Sequence, residues 1–164
     1  MTTPRDLFLH ELGDILYVER KLAEEVLPKL IQEVQSQEFR KGLERHLDQT
    51  RGHVANVEQV FDELGERAHE EECIGFEGLK AEHDKLVEEA SSDLIDLVDA
   101  GAAARTEHYE IAAYSGLIEM ARALGEPNAV TLLDENLKEE KETLREVESV
   151  TKTLRDQAKE MVSR

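Results

Sequence analysis

LERHLDQTRGHVANV, residues 43–57, runs along one helical stripe from Leu43 to Val57 but fills the inward positions between them with His46, Gln49, Thr50 and His53. Apolar residues recurring at i, i+3, i+4 and i+7 mark the core-facing side of a helix. Two imidazoles two turns apart are therefore turned toward a core. Polar groups in that position need partners from the elements that face them.

The same interruption recurs on three further helices. A first helix is predicted from Pro4 to about residue 35, opened by the cap Thr3-Pro4-Arg5-Asp6, with the stripe Leu12, Ile15, Leu16, Leu22, Val26, Leu30 and a kink at the internal Pro28. That stripe passes through Glu19. The second helix, 37–65, continues from the quoted stretch through Val60, Phe61 and Leu64 to a stop at Gly65. The third, 91–124, is apolar around much of its circumference and is expected to pack centrally, yet it carries Glu107 and Glu110 three residues apart within EHYEIAAYSGL. The fourth, 127–160, has Val130, Leu133, Leu137, Leu144, Val147 and Leu154 on its stripe, with Glu140 in the gap and Glu139 beside it turned to solvent.

Between the second and third helices, residues 66–90 form a long connection with an amphipathic stretch of its own around Leu79, Leu86 and Val87. Two long helices, a long crossover and two more long helices describe an all-α, antiparallel four-helix bundle of the ferritin-like kind, with one short extra helix in the crossover. The 164 residues suffice for one domain, 1–164, and for a core without covalent staples.

Buried carboxylates persist when they are protonated, salt-bridged or bound to metal. Few Lys or Arg residues share the inward faces, and Arg105 is the main internal competitor. Glu19, His53, Glu107, Glu110 and Glu140, with His46 and Gln49 beside them, are therefore the candidate ligands. Carboxylate and imidazole donors from four helices suit Fe or Mn, and Zn less specifically, with the carboxylates able to bridge two ions. Tyr17, Tyr109 and Tyr114 lie near these positions, as supporting donors or as core.

Other functions are disfavoured. With 20 basic against 38 acidic residues, a net charge of −18, the surface repels nucleic acid and anionic membranes. No apolar run is long enough to span a bilayer and the start MTTPRDLF lacks a signal-peptide core, so a cytoplasmic location is expected. The single cysteine, Cys73, excludes an internal disulfide or a thiolate cluster and reads as an ordinary loop thiol. No nucleophile motif or phosphate loop is present.

At LYVERKL, HLDQT, CIGFEGL and EHYEIAAY the chain resembles the bacterial and archaeal YciE/YciF family of ferritin-like proteins, over nearly its full length. The resemblance implies a stress-associated di-metal carboxylate bundle that forms homodimers, with Glu19, Glu107, Glu110 and Glu140 as ligands and His46 as a shared position. Family members commonly carry Glu where this chain has Gln49 and Gln where it has His53. Two functions are expected from these residues: a di-iron or di-manganese protein reacting with oxygen or peroxide, or a non-enzymatic bundle with a degenerate or one-metal site.

Overall fold

The computed structural model describes residues 1–162. Its helices are α1 (Pro4–Lys21), α2 (Leu27–Glu33), α3 (Gln37–Glu63), α4 (Ile74–Glu89), α5 (Ile95–Leu124) and α6 (Pro127–Val162), and no strand occurs among the described residues. The first starts as the cap sequence dictates: the Thr3 hydroxyl accepts from the Asp6 N–H, while the Asp6 carboxylate accepts from the Thr3 N–H. Gly65 and Gly125, at φ of 72° and 78°, stop α3 and α5 in the left-handed conformation that glycine adopts without steric penalty.

α1, α3, α6 and α5 form the bundle, each packed on the next around the ring, and α4 lies outside against α5. The contacts fix the directions. Arg5 reaches the Leu64 carbonyl and Arg20 reaches Glu58, so α1 and α3 are antiparallel. His53 meets Glu139 and Arg45 meets Glu146, so α3 and α6 are antiparallel as well. Asp96, at the start of α5, accepts from the N–H groups of Gln35 and Ser36 at the far end of α2. α5 therefore runs in the same direction as α3, and residues 66–94 must travel the length of the bundle to connect them. This is the ferritin-like arrangement with one long crossover.

Pro28 acts differently from the expected kink. Residues Leu22–Val26 form a π-helical turn, and the Leu27 N–H reaches back five residues to the Leu22 carbonyl. A proline at 28 offers no N–H to the Glu24 carbonyl and crowds it, and a wider turn relieves both problems. The inserted residue rotates the stripe, so Leu27 is buried where Val26 was expected and Val26 is only half-buried. At α5 the helix proper begins at Ile95, after a 3₁₀ turn over Ser92–Leu94, and much of its apolar circumference is half-buried, with Leu94 and Ala112 exposed.

Cys73 is a buried cap and no loose loop thiol: its Sγ accepts from the Phe76 N–H at 3.3 Å and lies 2.9 Å from the Tyr109 hydroxyl. The segment before it crosses α1 closely at Gly13, whose carbonyl accepts from the Glu71 N–H at 3.1 Å. A Cβ on Gly13 would lie 3.2 Å from the His69 carbonyl oxygen and 3.3 Å from the Glu71 nitrogen, atoms that cannot step aside without moving the backbone. Gly13→Ala should therefore cost about 1–3 kcal/mol despite its better helix propensity. Thermal denaturation should show a lower midpoint for it, whereas Gly116→Ala, with open space around the added methyl, should leave the midpoint equal or higher.

Candidate metal centre

The interrupted stripes meet at the middle of the bundle. α1 supplies Glu19, α3 supplies His46 and His53, α5 supplies Glu107 and Glu110, and α6 supplies Glu140; each is at most 3 % exposed. The spacing explains the gathering: 46, 50, 53 and 57 follow one another along the buried face of α3, and 107, 110, 114 and 117 do so on α5.

Two sets of donor atoms form, each within 4.8 Å. One comprises His46, Glu107, Glu110 and Glu140, and the other Glu19, His53 and Glu140. Glu140 belongs to both. His46 Nε2 lies 3.2 Å from Glu107 Oε1, and His53 Nδ1 lies 2.8 Å from Glu140 Oε1 and 3.3 Å from Glu19 Oε1. Although these atoms are close, many are not aligned for hydrogen bonds. Glu19 Oε2, His53 Nδ1, Glu107 Oε2, both Glu110 oxygens and both Glu140 oxygens are buried without a hydrogen-bond partner. Elsewhere among the described residues only Arg40 Nε and Asp99 Oδ2 share that condition. Unpaired buried oxygens are costly, and a cation among them removes the cost at every atom together. The donor set of carboxylate oxygen and imidazole nitrogen, without thiolate, suits such an ion.

Electrostatics express the same crowding. Burial, then the charge of Glu140, raises the Glu107 carboxyl well above its usual range. Burial with the charges of Glu140, Glu19 and Glu107 does the same to Glu110. Glu19 is raised by burial, partly offset by His53. Burial also opposes ionisation of Glu140, but His53 and His46 outweigh it and hold Glu140 below the usual value. His53 moves the other way: burial disfavours its charge, yet Glu19 and Glu140 raise it to about 11. His46 is lowered, chiefly by burial.

A layer of polar side chains holds the cluster in place. The Tyr114 hydroxyl donates to Glu19 Oε1 and accepts from Asn136 Nδ2 at 3.0 Å. Asn136 also donates to the His53 carbonyl, and its own oxygen accepts from Asn56 at 2.7 Å. Glu139 Oε2 lies 3.0 Å from His53 Nε2, which can donate to it and leave Nδ1 facing the cluster. The Thr143 hydroxyl, 3.3 Å from His46 Nδ1, likewise orients that ring with Nε2 toward Glu107. Glu139, expected to face solvent, instead meets His53, and Asn56, Asn136 and Thr143 stand beyond the expected set. Asn136 and Thr143 continue the α6 stripe on either side of Glu140, a signal that was there to be read.

Three readings change. The buried position between the two imidazoles is Thr50, whose hydroxyl donates to the His46 carbonyl at 2.9 Å, while Gln49 is half-buried and makes no side-chain hydrogen bond among the described residues. Arg105 does not compete for the interior, because it is exposed and pairs with Glu82 on α4. Of the tyrosines only Tyr114 touches the cluster; Tyr109 donates to Asp14 at 3.2 Å, and Tyr17 donates to Glu77 at 2.6 Å.

Fold and site together define a ferritin-like helical bundle with a buried glutamate–histidine cluster able to hold metal. The chain belongs to the family described as a domain of unknown function, DUF892, whose model matches residues 3–160. It is 33% identical to protein YciF of Escherichia coli K12 over 145 residues, 87% of each chain. Among solved structures it is similar to the E. coli stress protein YciF, at 30% identity and a TM-score of 0.88 over 95% of this chain and 99% of that one. It is also similar to YcfI of Rhodopseudomonas palustris, at 35% identity and 0.86 over 90% and 94%. A Xanthomonas campestris protein, 18% identical with a TM-score of 0.77 over 99% of this chain and 100% of that one, shares the fold.

Raised carboxyls make a prediction about chelator-treated protein. The folded state holds protons on Glu19, Glu107 and Glu110 above pH 4.5, where the unfolded chain has released them, and on His53 from 6.5 to about 11. His46, lowered by burial, opposes this below 6.5, but it is one group against three raised carboxyls and His53, so stability falls as pH rises from 5 to 8. Thermal melts across that range in EDTA should show a steadily falling midpoint; a midpoint rising with pH would contradict this.

Proposed function

We propose that this chain is a metal-binding protein that holds two transition-metal ions, iron or manganese, and reacts with oxygen or peroxide in stress protection. The observation that carries this reading is the set of unpaired buried donor atoms divided into two groups that share Glu140. A carboxylate common to two donor sets is what bridging a pair of ions requires. Bound there, such ions would supply electrons to an oxidant and the Lewis acidity to polarise it. The residues do the rest: Tyr114 and Asn136 fix the Glu19 carboxylate, Glu139 and Thr143 set the rotation of the two imidazoles, and the apolar stripes on either side exclude bulk water. The stress role is supported by the similarity to the E. coli stress protein YciF.

A second reading is a non-enzymatic bundle in which a protonated His53 neutralises Glu19 and Glu140 while Glu107 and Glu110 keep their protons. The elevated His53 favours it specifically. The two readings differ on metal-linked stability, since an ion bound only by the folded chain must raise its melting temperature.

We also propose that the protein is a homodimer in the cytoplasm. Ile74, 83% exposed at the start of α4, supplies an apolar surface for a second copy, no helix of the described residues is long and apolar enough to cross a membrane, and the lone cysteine is unpaired. Light scattering should give twice the chain mass of 18.6 kDa.

After anaerobic reconstitution with Fe(II) or Mn(II) and desalting, elemental analysis should find about two ions per chain, and Glu140→Ala, which removes the shared carboxylate, should lose both. Fewer than about one ion per five chains, with a melting temperature indifferent to Fe(II), Mn(II) and EDTA, would overturn the metal reading in favour of the second.

A further inference from the structure

An apolar chamber of about 70 Å³, partly open to solvent, adjoins the cluster. Leu22 and Leu27 from the π-helical turn and α2, Leu43 from α3, Phe76 from α4 and Val147 and Val150 from α6 form much of its wall, and His46 and Glu107 stand where it meets the metal centre. Its space exists because small residues occur where large ones would fill it. Ala102 and Ala103 line it from α5, and Gly42 lines it from α3, where an added Cβ would meet nothing within 4 Å. Glycine inside a helix costs about 0.5–1 kcal/mol relative to alanine, so its place in the wall keeps space open at a penalty to the helix.

The polar groups of the wall are already engaged. Thr106 donates to the Ala102 carbonyl at 3.2 Å, and the Thr143 hydroxyl is held by His46. Lys80 pairs with Glu25 and Asp84, His83 with Asp99 at 2.8 Å, and Glu146 with Arg45. The exposed lining is mostly apolar, so hydrogen peroxide, with two hydroxyls to satisfy, gives up hydrogen bonds to water on entering, whereas dioxygen has none to give up. An apolar cavity of about 150 Å³ admits benzene or xenon. One of about 70 Å³ has room for xenon or a diatomic gas.

We propose that this chamber is a binding site for a small nonpolar gas, dioxygen, held against His46 and Glu107, so that dioxygen and not peroxide is the oxidant this site selects. The proposal rests on the metal reading above for its chemistry but not for its binding. Two ferrous ions held by the cluster would supply the two electrons, and solvent the two protons, that convert dioxygen to hydrogen peroxide.

Xenon probes the chamber without metal or turnover. Chelator-treated protein should bind about one xenon per chain by ¹²⁹Xe NMR, and Gly42→Leu, which places a side chain in the open space, should weaken that binding about tenfold or more. In protein loaded with Fe(II), Gly42→Leu should slow oxidation by dioxygen about tenfold and change oxidation by hydrogen peroxide less than about twofold, at unchanged iron content. Ala103→Leu provides the same test from α5 should Gly42→Leu not fold. Absence of xenon binding to the unaltered chain overturns the proposal, as does equal slowing with both oxidants or slowing with neither. Xenon binding in a chain that holds no iron sustains the chamber and removes only the metal reading.

Discussion

Four glutamates and two histidines are taken out of water at the centre of a bundle that brings no lysine or arginine to meet them. That imbalance is the constraint on which the rest of the structure depends. Each helix gives up a core position to supply these groups, so the hydrophobic packing that holds the bundle is interrupted at one level on all four sides. The cost is tolerable only if something positive, whether protons or metal ions, sits among the carboxylates. The raised carboxyls of Glu107 and Glu110 and the raised His53 are the proton-bearing form of that solution; the unpaired oxygens directed into the same space describe the metal-bearing form.

The surrounding architecture limits how the cluster can relax. Asn136 ties α6 to α3 and α5 through His53, Asn56 and Tyr114, and Tyr114 ties α5 to α1 through Glu19. Glu19 therefore cannot swing outward without breaking its bond to Tyr114, which joins α1 to α5. The crossover adds a further tie: Arg20 holds both Glu58 of α3 and Glu70, and Glu71 bonds to α1 at Gly13. Such scaffolding keeps donor atoms in place ahead of binding, which lowers the reorganisation that binding must otherwise supply.

Much of this was legible in the amino-acid order because helical periodicity is strict. Once Leu12, Leu16 and Leu22 define an inward face, Glu19 has nowhere else to point, and the same holds for Glu140 between Leu137 and Leu144. Three things escaped that logic. The π-helical turn shifts the register after Leu22, which a fixed period of 3.6 cannot anticipate, so burial passes from Val26 to Leu27. Residues one position off a stripe, Gln49 and Glu139, are decided by side-chain length and by what the facing helix offers. Glu139 reaches back to His53, and Gln49 does not reach the cluster. Arg105, expected as the main internal competitor for the carboxylates, lies two residues before Glu107 and so more than half a turn away on the helix, and its side chain goes to Glu82 on α4.

Crystals of protein reconstituted with iron, measured for anomalous scattering at the iron absorption edge, test the central claim most directly. The account requires two anomalous peaks in the bundle interior on either side of Glu140, one beside His46, Glu107 and Glu110 and the other beside Glu19 and His53. Full-occupancy protein with no peak at Glu140, or with peaks only at the acidic surface, would contradict it.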